Sequence, residues 1–229
     1  MVNETLRPAA NTDAPPERAV ALSYAPARAR AALAALLALD DTLAGLLRAG
    51  REPLVAQMRL TWWHGALTAL DDGIVPAQPV LAALAQDVLP RGVAGVRLAG
   101  MIDGWETLLD LEPLDSGRLT TYAAGRGRVL FEAAGTVLGA APGDPVGEAG
   151  EGWALADLVG HIANAAERAA AADLARARLG QALALRWSRP ARALGAMAHA
   201  ARMDLAEPPV RVGSPRRVAR LLRHRLTGG

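Results

Sequence analysis

Polar side chains able to do chemistry are few in this sequence, and each sits in an otherwise apolar segment. Asp40 and Asp41 are adjacent carboxylates among Leu33, Leu36, Leu37, Leu43, Ala44 and Leu47, apolar residues that recur at helical spacing. That spacing turns Asp40 inward, where a carboxylate is costly unless paired. Either Asp40 lines a ligand cavity, or it bonds an arginine or rotates to solvent. Arg59 precedes Trp62 and Trp63 by three and four residues, the separation at which a guanidinium meets an indole on a helix. It braces the central helices in that way, or it binds an anion. Tyr122 shares a segment with Gly125, Gly127 and Gly135; it is a core phenol with a single hydrogen bond or part of a cavity wall. Asp157, His161, Asn164 and Arg168 form a polar stripe at i, i+4, i+7 and i+11. A carboxylate and an imidazole four apart could hold a metal, but no second histidine or acidic cluster completes a shell. No metal ligand is assigned, and a solvated face is the simpler reading.

The final segment, SPRRVARLLRHRLTGG, differs in character. Over residues 215–226, Val218, Leu221, Leu222 and Leu226 share one helical face, and Arg216, Arg217, Arg220, Arg223 and Arg225 occupy the rest. Such a basic amphipathic helix suits an anionic membrane surface or an acidic partner. Alternatively its leucines cap the core and its arginines lie in water.

The elements that position these residues are helices. Of the 229 residues 52% are hydrophobic but only 3% aromatic. Alanine and leucine supply most of the apolar mass, which favours helix over sheet. The basic residues are all arginine and the net charge is only +2, so nucleic-acid binding is not expected. There is no cysteine, which excludes disulfides, thiolate metal sites and cysteine nucleophiles. Residues 1–16 read as a disordered lead-in without the pattern of a secretory signal, and 17–229 as one domain. A cytoplasmic protein, peripheral at most to an inner membrane surface, is expected.

Proline and glycine divide the chain into roughly eight helices. These cover 17–24, 26–48 with Gly50 as its cap, then the segment opened by Pro53, then 79–88, 92–111, 116–138, 152–183, 190–205 and 215–226. The Pro53 segment has two apolar stripes, Val55, Met58, Trp62, Ala66, Ala69 and Leu60, Trp63, Leu67, Leu70, and is expected to be central and buried. Residues 141–151 read as a loop. The Gly-Arg-Gly at 125–127 is a helix-packing feature, because no strand precedes it as a phosphate loop requires.

The string MRLTWWHGAL, with its two adjacent tryptophans, resembles the IRLQWWRDAL signature of squalene/phytoene synthase-like proteins. LAGMIDGWETLL, LTTYAAGRGRVLFEAAGTVLG and GEGWALADLVGHI resemble the middle helices of that family in the same order. The resemblance covers about residues 24–162, and its flavour is that of the proteobacterial branch similar to the mitochondrial complex I assembly factor of the superfamily. It implies an all-α isoprenoid synthase-like bundle with a central cavity. For active members it implies head-to-head joining of two prenyl diphosphates, with aspartates four apart on facing helices holding magnesium against the leaving diphosphate.

Laid against those acidic motifs, this sequence has Ala44 and Arg48 at the first and His161 and Ala165 at the second. His64 and Gly65 stand where the family commonly has arginine and aspartate. The resemblance therefore implies a fold kept without its metal-binding carboxylates. The helices carrying Asp40, Trp62, Tyr122 and His161 are expected to line the cavity. A non-catalytic binding or assembly protein is expected, its partner a respiratory complex, a true synthase or an isoprenoid lipid, with no cofactor. The competing expectation is prenyl transfer at a rearranged magnesium site drawn from Asp40, Asp41, Asp71, Asp72 or Asp157.

Overall fold

The computed structural model describes residues 16–49, 52–110 and 112–229. The expected lead-in, apart from Pro16, and the Gly50 cap lie outside the described residues. Ten helices and no strand are present among the described residues: α1 (Pro16–Tyr24), α2 (Arg30–Ala49), α3 (Pro53–Ala69), α4 (79–88), α5 (95–106), α6 (116–138), α7 (Val146–Val159), α8 (Ala165–Leu183), α9 (Arg192–Asp204) and α10 (Pro215–Thr227). Prolines in the first turn open α3, α4 and α10, where a missing N–H costs nothing.

The count is ten rather than roughly eight: nine segments were expected one by one, and the alanine-rich stretch divides into two helices. Gly160 to Asn164 breaks it, and the Asn164 side chain caps α8 by accepting from the backbone N–H of Ala166 and Glu167 at 2.9 and 3.2 Å. An asparagine can supply a cap anywhere along a helical sequence, so the surrounding alanines give no warning of the break. The preceding helix also starts earlier than expected, at Val146, and shortens the 141–151 loop.

Leu33, Leu36, Leu39 and Leu43 of α2 are fully buried, which confirms the inward stripe. Each contributes about 1.5–3 kcal/mol of hydrophobic stabilisation. α2 packs on α4 and α6, and α7 lies mainly against α8 and the middle of α6.

α3 is not buried on most sides. Its stripe of Leu60, Trp63, Leu67 and Leu70 faces the core, whereas Leu54, Met58 and Trp62 are 68, 65 and 47% exposed. Two apolar stripes fix two candidate faces; of the second, Ala66 is buried, whereas no helix among the described residues covers Val55, Met58 and Trp62. Arg59 is exposed and makes no ion pair or ring contact among the described residues. The expected stacking fails because each indole has another neighbour: Trp63 turns into the core, and the two rings meet edge to face at 5.4 Å.

Helices α6 and α7 cross at glycines. A Cβ on Gly127 would lie 2.1 Å from the carbonyl oxygen of Gly150, and one on Gly150 would lie 2.2 Å from that of Gly127. Gly127→Ala is therefore expected to destabilise the protein by about 1–3 kcal/mol or more, as overpacking does. A thermal melt checks this, and Gly45→Ala, where a Cβ meets nothing within 4 Å, is the control.

Candidate functional site

The charged centre of the molecule is built around Arg126, which sequence reasoning read only as part of a packing motif. α6 is π-wound from Ala123 to Arg128, a widened turn of the kind found at functional sites. Gly125 meets Gly104 of α5, each close enough that a Cβ on either would come within 2.5 Å of the other strand of backbone. Gly127 meets Gly150 of α7 as described. These two contacts bring Trp105, next to Gly104, and Trp153, three residues after Gly150, onto the Arg126 guanidinium, with its carbon 4.4 and 4.7 Å from the ring centroids. An arginine held between two indoles is weakly hydrated and favourably placed over their π faces.

Within this sandwich Arg126 donates from Nε to Asp40 Oδ1 at 2.8 Å and from Nη2 to Asp40 Oδ2 at 2.9 Å. The two bonds form the bidentate fork that makes arginine–carboxylate pairs strong. Its Nη1 donates to the Tyr122 hydroxyl and to Asp157 Oδ2, both at 2.5 Å. Arg18 of α1 adds a bond from Nη2 to Asp40 Oδ2 at 2.8 Å and one from Nη1 to the Leu37 carbonyl at 3.1 Å, and it pairs with Asp41. Asp40 is 0% exposed and Arg126 3%. Burial without partners would be costly for both charges, but here each is opposed by hydrogen-bonded partners.

The protonation states follow from these contacts. Burial pulls the Arg126 pKa down, but Asp40, Tyr122 and Asp157 more than reverse this and hold it well above its ordinary value. Burial pulls Asp157 up, and Arg126 outweighs it, leaving the carboxyl below the usual range. Burial raises Tyr122, so its phenol stays protonated and its oxygen accepts from Arg126. Burial also raises Asp41, with Arg18 opposing.

The structure thus brings Asp40, Asp41, Tyr122 and Asp157 together and adds Arg18 and Arg126 to them. Asp40 takes the arginine-bonded alternative, with two arginines. A cavity of about 110 Å³ lined by Arg18, Trp153, Asp157, Met197 and Asp204 adjoins the network. Trp62 is not in its wall, because α3 turns that ring outward. His161 falls in the turn after α7, so the expected polar stripe is not one helical face: Asn164 is the α8 cap, and Arg168 donates to the Ile162 and Ala163 carbonyls at 3.2 Å. Asp71 accepts from the Gly95 and Val96 N–H groups at 2.6 and 2.8 Å and belongs to the start of α5, while Asp72 is exposed. Among the described residues no three His, Asp or Glu side chains converge as metal ligands.

A second buried polar pair joins α9 to α10. The rings of His199 and His224 meet at 4.7 Å, and His224 Nε2 lies 3.2 Å from the Arg192 carbonyl, so this nitrogen carries the proton. A Cβ on Gly195 would fall 2.3 Å from that nitrogen, so only glycine admits the ring. Burial lowers His199 to about 3 and His224 to about 4. The two histidines are 25 positions apart, and no spacing in the sequence pairs them.

The same helix corrects the expected basic surface. Arg217 is 2% exposed and pairs with Asp204 at 2.6 Å, because it shares the inner face with Leu221 and His224. Arg216, Arg220, Arg223 and Arg225 are exposed, and the Arg225 guanidinium lies 5.0 Å from the Tyr24 ring centroid. Leu221 caps the core, whereas Val218, Leu222 and Leu226 are 53, 50 and 70% exposed.

The family profile of squalene/phytoene synthases matches residues 13–186. The chain belongs to the squalene/phytoene synthase family. Its fold is similar to that of a dehydrosqualene synthase solved in complex with a ligand, with a TM-score of 0.70 and 17% identity over 92% of this chain and 90% of that one. No curated protein matches. No helix among the described residues is long and apolar enough to cross a membrane.

Proposed function

We propose that this family member is a non-catalytic binding or assembly protein that uses the synthase fold without its prenyl-transfer chemistry. The observation that carries the reading is the state of Asp40. Both its oxygens are taken by the Arg126 fork, one is shared with Arg18, and Arg126 itself fills the space between Trp105 and Trp153. A carboxylate in that state has about three of its four lone-pair sites taken by guanidinium groups and no access to solvent.

Magnesium, which the resemblance implies for active relatives, does not fit this donor set. It asks for several oxygen ligands in near-octahedral array. The carboxylates that come together here are already bound by guanidinium groups, which repel a dication. Arg48, exposed on α2, adds positive charge at a position where the family motif is acidic. A protein partner, a component of a respiratory complex or a true synthase, suits the exposed Leu54, Met58 and Trp62 row of α3 better than an isoprenoid ligand suits a cavity of about 110 Å³.

Calorimetric titration with farnesyl and geranylgeranyl diphosphate, with and without magnesium, tests the reading. The expected result is no magnesium-dependent heat and no release of diphosphate. Magnesium-dependent binding that disappears in Asp40→Ala would overturn it and restore a rearranged metal site.

A further inference from the structure

The geometry points to a docking surface for an anionic lipid bilayer at α10, in which an arginine pocket receives a phosphoryl headgroup and Val218, Leu222 and Leu226 enter the acyl boundary. The inference is independent of whether the Asp40 network catalyses anything.

The pocket lies where the C-terminal end of α10 meets α1 and the start of α9. It is a cavity of about 390 Å³ lined by Tyr24, Arg189, Arg192, Arg225 and Leu226. Three of its five lining residues are arginines and none is acidic. Arg192 is anchored, its Nη1 donating to the Arg225 and Leu226 carbonyls at 2.8 and 3.2 Å, while its Nε is buried without a hydrogen-bond partner. That nitrogen is closed to solvent, so the groups open to a ligand are the guanidiniums of Arg189 and Arg225, and a phosphoryl oxygen is the acceptor that guanidinium groups fit best. Arg225 is steadied over Tyr24, and Arg189 is exposed at the rim.

Leu226 belongs both to this pocket and to the apolar row on α10. Val218, Leu222 and Leu226 stand at i, i+4 and i+8, so they form one row about 12 Å long. On a helical projection Arg225 borders the row on one side and Arg216 and Arg223 border it on the other. Long arginine stems can then lie along the apolar boundary with their heads among phosphates. The thirteen residues of α10 hold five arginines and no acid, in a chain whose whole net charge is +2, so basic charge is concentrated here. An apolar row edged by arginines and ending in a basic pocket matches a lipid interface in both layers. An acidic peptide would use the arginines and leave the apolar row uncovered.

The test is flotation of the full chain with vesicles of phosphatidylcholine alone or with phosphatidylglycerol added. Binding is expected only to the anionic vesicles and is expected to weaken with salt. Arg189→Gln with Arg225→Gln should lower the partition coefficient by at least about tenfold, and Leu222→Ser with Leu226→Ser should abolish retention, both with unchanged circular dichroism. Calorimetry with inorganic phosphate separates the sources of the anion. Phosphate binding without vesicle retention overturns the lipid assignment, as does retention that both pairs of substitutions leave intact. Retention on neutral vesicles would likewise overturn the role of the pocket.

Discussion

Asp40→Asn is expected to lower the unfolding free energy by about 3–5 kcal/mol, because it leaves two buried guanidinium groups facing an uncharged amide. Urea denaturation at pH 7 measures it. The cost arises from buried guanidinium charge left underpaired and not from the loss of a favourable pair, so Asp40→Leu combined with Arg126→Met should recover most of the stability. Replacing a buried ion pair by apolar groups of similar size is often neutral. Arg18 remains held in that double variant by Asp41 and the Leu37 carbonyl. A loss below about 1 kcal/mol in Asp40→Asn would mean that water reaches this carboxylate as it does at surface pairs.

Stability is expected to fall as pH drops from about 6.5 toward 4, beginning above the range in which ordinary carboxylates titrate, and the His199–His224 pair is the cause. Both histidines are held neutral in the fold, down to about 3 and about 4, by burial first. The charge of His224 and the nearby Arg220 and Arg202 add to this for His199, while Arg192 and Arg220 act on His224, whose bond to the Arg192 carbonyl opposes the shift. The unfolded chain takes up protons near pH 6.5 and the native chain does not, so the unfolded state binds more protons throughout that window. Stability therefore rises with pH there and is complete above it. Each histidine contributes a slope of up to about 1.4 kcal/mol per pH unit inside the window.

Urea midpoints between pH 4 and 8 should show that slope in the native sequence and a flat line in His199→Leu with His224→Leu. A slope that persists in the double variant would assign the acid sensitivity elsewhere. The carboxylates act lower: Asp157, held below its usual value, loses its contribution only as pH falls further, through its depressed folded pKa.

The all-α architecture and the inward face of α2 were legible in the sequence, because long apolar rows at helical spacing determine what must be buried. The family was legible from MRLTWWHGAL and the ordered helices after it. What escaped was the identity of partners across helices. Asp40 announced that it needed a cation, but nothing in its own segment said that the cation was Arg126, 86 positions away, with Arg18 beside it. A usable signal existed: an arginine between two glycines, four residues after a tyrosine, in a helix otherwise apolar on that side. On α3 two apolar rows could each have faced the core, and only the arrangement of the other helices decided that Trp63 went in and Trp62 out. The C-terminal arginines failed at one place for a similar reason, since Arg217 reads like its neighbours until Asp204 is seen opposite it.

A guanidinium fixed to the chain differs from a bound cation in one respect that bears on descent: it cannot leave. This protein carries its positive charge through every turn of synthesis and unfolding. Under the function proposed above, a further aspartate introduced beside Asp40 would arrive at a centre whose charge is already balanced by Arg126 and Arg18. Removal of Arg126 would have to come first, yet that step strands Asp40 and weakens the fold. The order of substitutions makes the present state hard to reverse.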